Sequence, residues 1–309
     1  MAKTLNEVLT ELGELDQPIS GDTIYKMADL NADEYKQLQA SWGGIPVERR
    51  RALMQRLTET SETNFDMDFG EVIRLALTDL DDQLRAIAIE AAWDDDTPDM
   101  ATRLIAMASG DIAEDVRAAA VSALGRFILL GELGKYDRDL ARRAENIALK
   151  LYNDKNEKLQ VRRRALESIA NCGREGVEGM IDEAYEHRDP QMRASAVFAM
   201  GRSCDAKYAS IVLRELTSDD PEMRYEATRA AGELELRQAV PYLADILLEN
   251  DREIMEMAVW SLGEIGGDEA RRLLEDVMER ADERGDDALA EAVEEALDAA
   301  SLAGKDLVL

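Results

Sequence analysis

The sequence predicts an all-α protein built from repeated pairs of helices. Three observations support this fold class. Alanine, leucine, glutamate and arginine dominate the composition, aromatic residues make up only 5%, and one helical motif returns along much of the chain about every 31 residues. With 309 residues, the chain is long enough to bury a substantial core as two domains or as one extended array.

The repeated motif is an arginine followed three positions later by an alanine, within an apolar pattern of helical period. The spacing from Arg162 to Arg193, and from Arg193 to Arg224, is 31 residues, and Met255 occupies the next register. The step from Arg117 to Arg162 is longer, at 45 residues. Copies of the motif begin at Asp81, Ala113, Lys158, Asp189, Asp220 and Asp251, and weaker copies begin at Ile45 and Asp286.

Each column of equivalent positions in the aligned copies has its own physical explanation. An Asp-Pro pair such as Asp189-Pro190 opens a helix, because proline has the required φ and aspartate can cap free N–H groups. Glycine, as at Gly201, is expected to end the helix in a left-handed conformation. The alanine column indicates close helix-to-helix approach; it comprises Ala52, Ala88, Ala120, Ala165, Ala196, Ala227 and Ala258.

Further helices of similar length are predicted between these copies, for example over 207–216 and 239–249. Each unit is therefore a pair of antiparallel helices joined by a short turn. One pair cannot bury its own apolar face, so neighbouring pairs must stack. The sequence predicts that they do so as a right-handed α-α superhelix.

The pattern D-P-x-M/V-R-x-x-A-x-x-A-L/M-G at this spacing resembles HEAT-like repeats, specifically the short variety found in phycobilin lyase subunits. The resemblance covers Ile45 to Asp298. It implies a HEAT-like solenoid, and proteins of this kind serve as scaffolds, assembly factors and transport adaptors, and occasionally as enzymes. It also implies that the aspartates and arginines at the start of each second helix, such as Asp81 and Arg85, Asp189 and Arg193, and Asp220 and Arg224, form a ladder with neighbouring repeats.

Three regions are predicted. Residues 1–44 form an N-terminal helical segment, partly linker or capping, with capping-box patterns at Thr4 and Asn31. Residues 45–298 form the solenoid, with an insertion near 127–158 that supplies a longer loop and a longer first helix. This insertion is either a local recognition element or a loop that has drifted in sequence. Residues 299–309 form a C-terminal tail.

The chain is strongly acidic, with a formal net charge of −29. Such a field repels nucleic acid and anionic membranes, so neither is predicted as a partner. It either favours protein or peptide partners with basic segments or simply keeps the protein soluble. The N-terminal residues lack the apolar run of a signal peptide, and Cys172 and Cys204 are the only cysteines. We therefore expect a cytoplasmic protein with two free thiols.

The sequence contains no persuasive catalytic, cofactor-binding or metal-binding constellation. His187 is the only histidine, and it is interpreted as a solvated loop residue. The acidic run 94–99 lacks the central glycine and distal glutamate of a calcium loop, so it is interpreted as a helix-capping turn. The glycines 263, 266 and 267 follow a helix and not a strand, which argues against a dinucleotide site.

The outward face of the second helices provides the candidate binding site. With a rotation of about 100° per residue, the positions one, five and nine after the arginine lie opposite the alanine column. In HEAT-like solenoids, this face lines the concave surface. In three consecutive repeats, these positions hold residue types typical of interface hot spots. The predicted partner-binding strip consists of Phe198, Arg202, Tyr225, Arg229 and Trp260.

The alternative is that tight curvature of the array, or the C-terminal segment folding back, covers these rings. The same face also carries Arg126, Arg163 and Arg164 in the N-terminal half, which predicts a groove less acidic than the net charge suggests. From the strip, the sequence predicts a non-enzymatic scaffold or assembly factor that binds a protein or peptide on its concave face. A HEAT-like lyase accessory subunit, or another HEAT-like enzyme, is the alternative function.

Overall fold

The computed structural model describes residues 3–64 and 66–303 of the chain. Within these residues there are eighteen α-helices and no strand, which confirms the predicted all-α class. No helix in the described part of the chain combines the length and the apolar character needed to cross a membrane. The chain divides into two compact units, residues 1–168 and 169–309.

The first unit contains ten helices, the last of which ends one residue beyond the boundary. They are α1 (Leu5–Gly13), α2 (Gly21–Ala28), α3 (Ala32–Ser41), α4 (Val47–Thr63), α5 (Gly70–Ala76), α6 (Asp82–Ala91), α7 (Pro98–Gly110), α8 (Glu114–Glu132), α9 (Arg138–Asn153) and α10 (Leu159–Ile169). The helices α4, α6 and α8 pack side by side, while α5 lies against α6, and α7 and α9 lie against α8.

The N-terminal helices pack against the first repeat of this unit. Both α1 and α2 contact α4, and the capping boxes predicted at Thr4 and Asn31 are present. The buried Arg49 side chain of α4 donates hydrogen bonds to the carbonyl oxygens of Gln17 (2.7 Å) and Glu11 (3.2 Å). The guanidinium thus ties α4 to the end of α1 and to the α1–α2 connection through backbone carbonyl groups.

The insertion near 127–158 lengthens two helices. Helix α8 continues to Glu132, and α9 has sixteen residues, so the predicted longer first helix is observed. The predicted longer loop is not, because only residues 133–137 separate α8 from α9. The two helices approach closely: a Cβ built on Gly131 would overlap the Ala141 side chain.

The second unit contains α11 (Val177–Tyr185), α12 (Pro190–Arg202), α13 (Ala209–Glu215), α14 (Pro221–Glu233), α15 (Val240–Ile246), α16 (Arg252–Ile265), α17 (Gly267–Arg284) and α18 (Asp287–Ala303). Helices α12, α14, α16 and α18 pack in sequence order, each against the next. Helices α11, α13, α15 and α17 pack against these second helices. The pairs and their stacking are those that the repeat predicts, and the degenerate copy beginning at Asp286 supplies α18.

The arginine column forms a ladder, although its bonds differ from those predicted. Arg85 donates to the carbonyl oxygen of Asp79 (2.9 Å), six residues earlier, and forms a bidentate pair with Asp111 (2.7 and 2.9 Å), which lies in the turn before α8. Three other arginines repeat the contact with the carbonyl six residues earlier: Arg117, Arg193 and Arg224.

The aspartates of the ladder mainly cap helices. Asp189 accepts from the N–H of Gln191, and Asp220 accepts from that of Glu222. Asp81 caps α6 and also pairs with Arg51 of the preceding repeat (2.5 Å). The predicted ladder is therefore confirmed for Asp81, while the other two aspartates show only their capping contacts in the part of the chain described.

The alanine column is confirmed at six of its seven positions and is wrong at the first. Six alanines are completely buried: Ala88, Ala120, Ala165, Ala196, Ala227 and Ala258. In α4, Leu53 is buried and Ala52 is only half-buried. Here Arg50 makes the ladder contact, to Asp79, so the first copy is shifted by one residue relative to the sequence alignment.

The glycine column does not end the helices, which corrects the sequence-based expectation. Gly201, Gly232 and Gly263 are buried inside α12, α14 and α16 and have helical backbones. The left-handed conformation falls three residues later, at Cys204 (φ 51°) and Glu235 (φ 49°). The column instead allows close helix contact, because a Cβ on Gly263 would lie 2.9 Å from the Cα of Ala296.

Replacing the exposed Glu235 by glycine is expected to raise the free energy of unfolding by about 0.5–1 kcal/mol, because glycine adopts positive φ without the steric cost that an L side chain carries. Urea unfolding followed by circular dichroism measures this change. The control Glu275→Gly, in the interior of α17, should lower stability by about 1 kcal/mol. Equal losses in both variants would contradict the assignment of strain to Glu235.

Candidate functional site

The five residues of the predicted strip lie on three neighbouring helices of the second unit. Phe198 and Arg202 are on α12, Tyr225 and Arg229 on α14, and Trp260 on α16. Helix α14 packs against both of the other two. All five side chains retain some solvent exposure. The 31-residue repeat therefore brings sequence-distant residues onto one helix stack.

Phe198 and Arg229 are in direct contact. The guanidinium carbon of Arg229 lies 4.3 Å from the centroid of the Phe198 ring, which is a cation–π arrangement. This contact covers part of the ring and explains how an aromatic residue is accommodated on an outward face. The two residues come from adjacent repeats, so their contact also joins α12 to α14.

Glu233 connects the two arginines of the strip. Its Oε1 atom lies 3.1 Å from Arg202 and 3.2 Å from Arg229. Burial raises the pKa of the Glu233 carboxyl, while the charges of both arginines oppose that rise. One carboxylate therefore serves two guanidinium groups, which leaves a net positive charge at this cluster when Glu233 is ionised.

Sequence reasoning placed Glu233 in the outward column but gave it no role in the strip. Two signals could have identified it. Arg229 and Glu233 have the i,i+4 spacing of a helical ion pair, and Arg202 stands 31 residues earlier in the equivalent position. The contact also requires a small residue beneath it, since a Cβ on Gly201 would lie 2.5 Å from Glu233 Oε2.

Trp260 presents the most accessible ring of the strip, with 39% of its surface exposed. The edge of its six-membered ring packs on the preceding helix, because a Cβ on Gly232 would lie 2.9 Å from the ring atom Cζ3. Tyr225 is half-buried, and burial raises the pKa of its hydroxyl, with Glu226 adding to the rise and Arg229 opposing it. Trp260 is thus a partly exposed ring whose edge rests on α14.

The alternative prediction is that other parts of the chain cover the aromatic rings of the strip, and these contacts test it. Phe198 is partly covered, by Arg229 of the strip itself. Trp260 keeps 39% of its surface exposed among the residues that the structure describes, even though α18 packs against its helix. The exposed surface of the strip therefore centres on Trp260 and on the outer face of Arg229, with Tyr225 beside them.

The expectation for the outward face of the first unit requires correction. Arg163 and Glu167 of α10 are buried, so these positions do not face solvent as the helical period predicts. Arg126 pairs with Asp96 at 3.0 Å, and Arg164 pairs with Glu167 at 2.5 Å. These arginines do not provide the free positive charge that the sequence suggested.

The acidic run 94–99 and His187 make local contacts that stabilise turns and helix starts. In the acidic run, Asp95 pairs with Arg74 (2.7 Å) and accepts from Thr97, which caps α7. His187 lies in a turn and accepts a hydrogen bond from the backbone of Asp189 (3.0 Å). Neither Cys172 nor Cys204 forms a disulfide, as predicted.

Comparison with known proteins identifies the repeat. Residues 209–298 match the sequence family described as HEAT repeats. No curated protein matches the chain. The match runs from α13 into α18. The earlier copies that begin at Asp81, Ala113 and Asp189 have the same buried alanine and ladder arginine. The similarity to phycobilin lyase subunits stays a prediction.

Several solved structures resemble the chain at low sequence identity. The Escherichia coli protein YibA is 17% identical with a TM-score of 0.46, covering 93% of this chain and 99% of its own. Importin beta is 16% identical with a TM-score of 0.46, and the match covers 96% of this chain but only 46% of importin beta. Human deoxyhypusine hydroxylase is 16% identical with a TM-score of 0.38, covering 96% of both chains.

Proposed function

We propose that this chain, a HEAT-like repeat protein, is a non-enzymatic scaffold or assembly factor that binds a protein or peptide partner on the face formed by its second helices. The observation that carries the proposal is the strip of the second unit. There the exposed Trp260 ring lies on the helix next to α14, and α14 carries Arg229, whose guanidinium group contacts Phe198 and Glu233.

This arrangement suits binding for two reasons. Tryptophan, tyrosine and arginine dominate interface hot spots, because they bury large areas and combine apolar with polar contacts. Arg229 is already restrained by its ring contact and its ion pair, so less side-chain entropy is lost when a partner binds. The strip can therefore act as a pre-organised contact surface.

The net negative charge of the chain favours some classes of partner over others. At a net charge of −29, long-range attraction favours proteins or peptides with basic segments and disfavours nucleic acid and anionic membranes. The net positive cluster around Arg202 and Arg229 is a local exception, which suits a carboxylate of the partner next to its apolar contact with Trp260. We propose a cytoplasmic location, because two cysteines without a disulfide suit a reducing compartment.

The test is affinity purification from the native cells with the wild-type protein and with Arg229→Ala/Trp260→Ala. We expect recovery of the partner to fall at least about tenfold in this double variant, because two central contacts are removed. The matched control, Tyr242→Ala/Arg271→Ala, removes an exposed tyrosine and an exposed arginine from α15 and α17 and should retain the partner.

Circular dichroism and thermal unfolding establish that both double variants remain folded. Retention of the partner by folded Arg229→Ala/Trp260→Ala would contradict the proposed strip. A visible chromophore carried by the purified protein would contradict the scaffold function and would favour the lyase alternative.

A further inference from the structure

A second candidate site lies within the first unit. A cleft of about 550 Å³ opens over helices α6, α8 and α10. Small side chains on α6 and α8 form its floor, so an extended segment could approach the helix backbones closely. These floor residues are Ala86, Ala118, Ala119, Ser122 and Ala123.

Trp93 lines this cleft, and hydrogen bonds hold both its side chain and its backbone in place. Its indole Nε1 donates to Ser61 Oγ (3.3 Å), and its carbonyl oxygen accepts from Arg126 (2.6 Å). The ring nevertheless remains 43% exposed. A fixed and accessible indole is the strongest side-chain acceptor for a cation–π contact.

The unmatched charge of the cleft is negative. Its two arginines are neutralised, Arg126 by Asp96 and Arg164 by Glu167. The exposed carboxylates of Glu90 and Asp115 also line the cleft, and neither has an ion pair or side-chain hydrogen bond among the described residues. The cleft therefore offers two free carboxylates together with one aromatic face.

We propose that this cleft binds an arginine side chain within an extended peptide segment of a partner protein. The guanidinium stacks on Trp93 and donates to Glu90, while the aliphatic stem and the flanking peptide lie over the alanine floor. Asp115, near the start of α8, lies further along the cleft and adds to its negative potential. A planar guanidinium can stack and donate at the same time, which an ammonium group does less well. This proposal rests on the proposed function in one respect only, which is that the chain binds a segment of a partner protein.

The probe is a fluorescein-labelled peptide, Ala-Gly-Ala-Arg-Ala-Arg-Ala-Gly, whose binding is measured by fluorescence anisotropy at physiological salt. The same peptide with citrulline in place of arginine keeps the planar group without its charge and should bind at least about tenfold more weakly. Removing the carboxylates with Glu90→Gln/Asp115→Asn should weaken binding of the arginine peptide about tenfold, and Trp93→Ala about fivefold.

The control pair Glu14→Gln/Glu71→Gln removes the same charge from exposed positions of the first unit outside the cleft. It should change binding less than about twofold, because distant exposed charges are screened by salt. Equal losses from the two charge-removing pairs would overturn the proposal, since binding would then reflect only the general acidity. Unchanged binding by Trp93→Ala, or equal binding of the citrulline peptide, would also overturn it.

The strip variant Arg229→Ala/Trp260→Ala separates this proposal from the proposed function. It should bind the arginine peptide as the wild type does, because none of its changes touches the cleft. Loss of the peptide in this variant, with retention in the cleft variants, would overturn the cleft proposal. If the strip variant retained the native partner, the strip would not be the partner-binding site. The evidence for arginine binding in the cleft would be unaffected.

Discussion

Replacing Arg85 by methionine is expected to lower the free energy of unfolding by about 3 kcal/mol, because the change leaves a largely buried carboxylate without its partner. Arg85 and Asp111 expose only 11% of each side chain, and their pair is bidentate. The variant also removes the donor to the carbonyl oxygens of Asp79 and Leu80. Methionine retains the apolar stem, so the loss reports mainly on the polar contacts.

Urea unfolding at pH 7 measures this loss, and Arg103→Met is its matched control. Arg103 forms an exposed ion pair with Asp99 within α7, so its replacement should cost less than about 0.5 kcal/mol. The double variant Arg85→Met/Asp111→Leu should recover part of the stability, since it removes the buried charge as well. Equal costs for the Arg85 and Arg103 variants would show that the ladder does not stabilise the first unit.

The loss of stability in Arg85→Met should also depend on pH. Burial raises the pKa of Asp111, but the hydrogen bonds from Arg85 and Ala113 and the charge of Arg85 outweigh it, so the pKa lies below its ordinary value. A carboxyl with a lowered pKa in the folded state stabilises the fold above its unfolded pKa of about 3.9, and this contribution disappears as pH falls through the folded pKa. The difference between wild type and Arg85→Met should therefore shrink below about pH 4.

Adding a methyl group at Gly263 is expected to destabilise the second unit by about 2 kcal/mol, which is typical of overpacking. The new Cβ would lie 2.9 Å from both the Cα and the carbonyl oxygen of Ala296. These are backbone atoms of α18, so no side-chain rotation can relieve the overlap. Helices α16 and α18 would have to separate.

The control is Gly179→Ala in α11, where a Cβ would meet no atom within 4 Å. Because alanine favours helix over glycine, this variant should gain about 0.5–1 kcal/mol. Thermal and urea unfolding compare the two variants directly. A Gly263→Ala protein as stable as Gly179→Ala would mean that α16 and α18 pack less closely than the structure shows.

Much of the candidate strip could be predicted from the sequence, since the fixed repeat length places Phe198, Arg229 and Trp260 at equivalent outward positions. Their contacts could not be predicted. The stacking of Arg229 on Phe198 and the sharing of Glu233 between two arginines depend on the distance between adjacent helices. That distance is set by packing at Gly201 and Gly232, whose role the sequence suggested only as helix termination.

The N-terminal half shows where periodicity alone fails. The helical period placed Arg163 and Glu167 on the outward face, but both are buried. In α4 the repeat register is shifted by one residue, because Arg50 and not Arg49 occupies the ladder position. Arg49 instead bonds to carbonyl oxygens of the α1–α2 connection. A period describes one helix by itself, whereas burial depends on what packs against it.

The sequence by itself determined the all-α class, the helix pairs and the buried alanine column, because capping residues, helical period and side-chain size act locally and recur in each repeat. Only the tertiary structure decided which carboxylates pair with the outward arginines, which glycines allow close helix contact, and where Trp93 and Trp260 stay exposed. The physical reason is that these properties depend on distances between residues about 30 or more positions apart, which a local pattern does not fix.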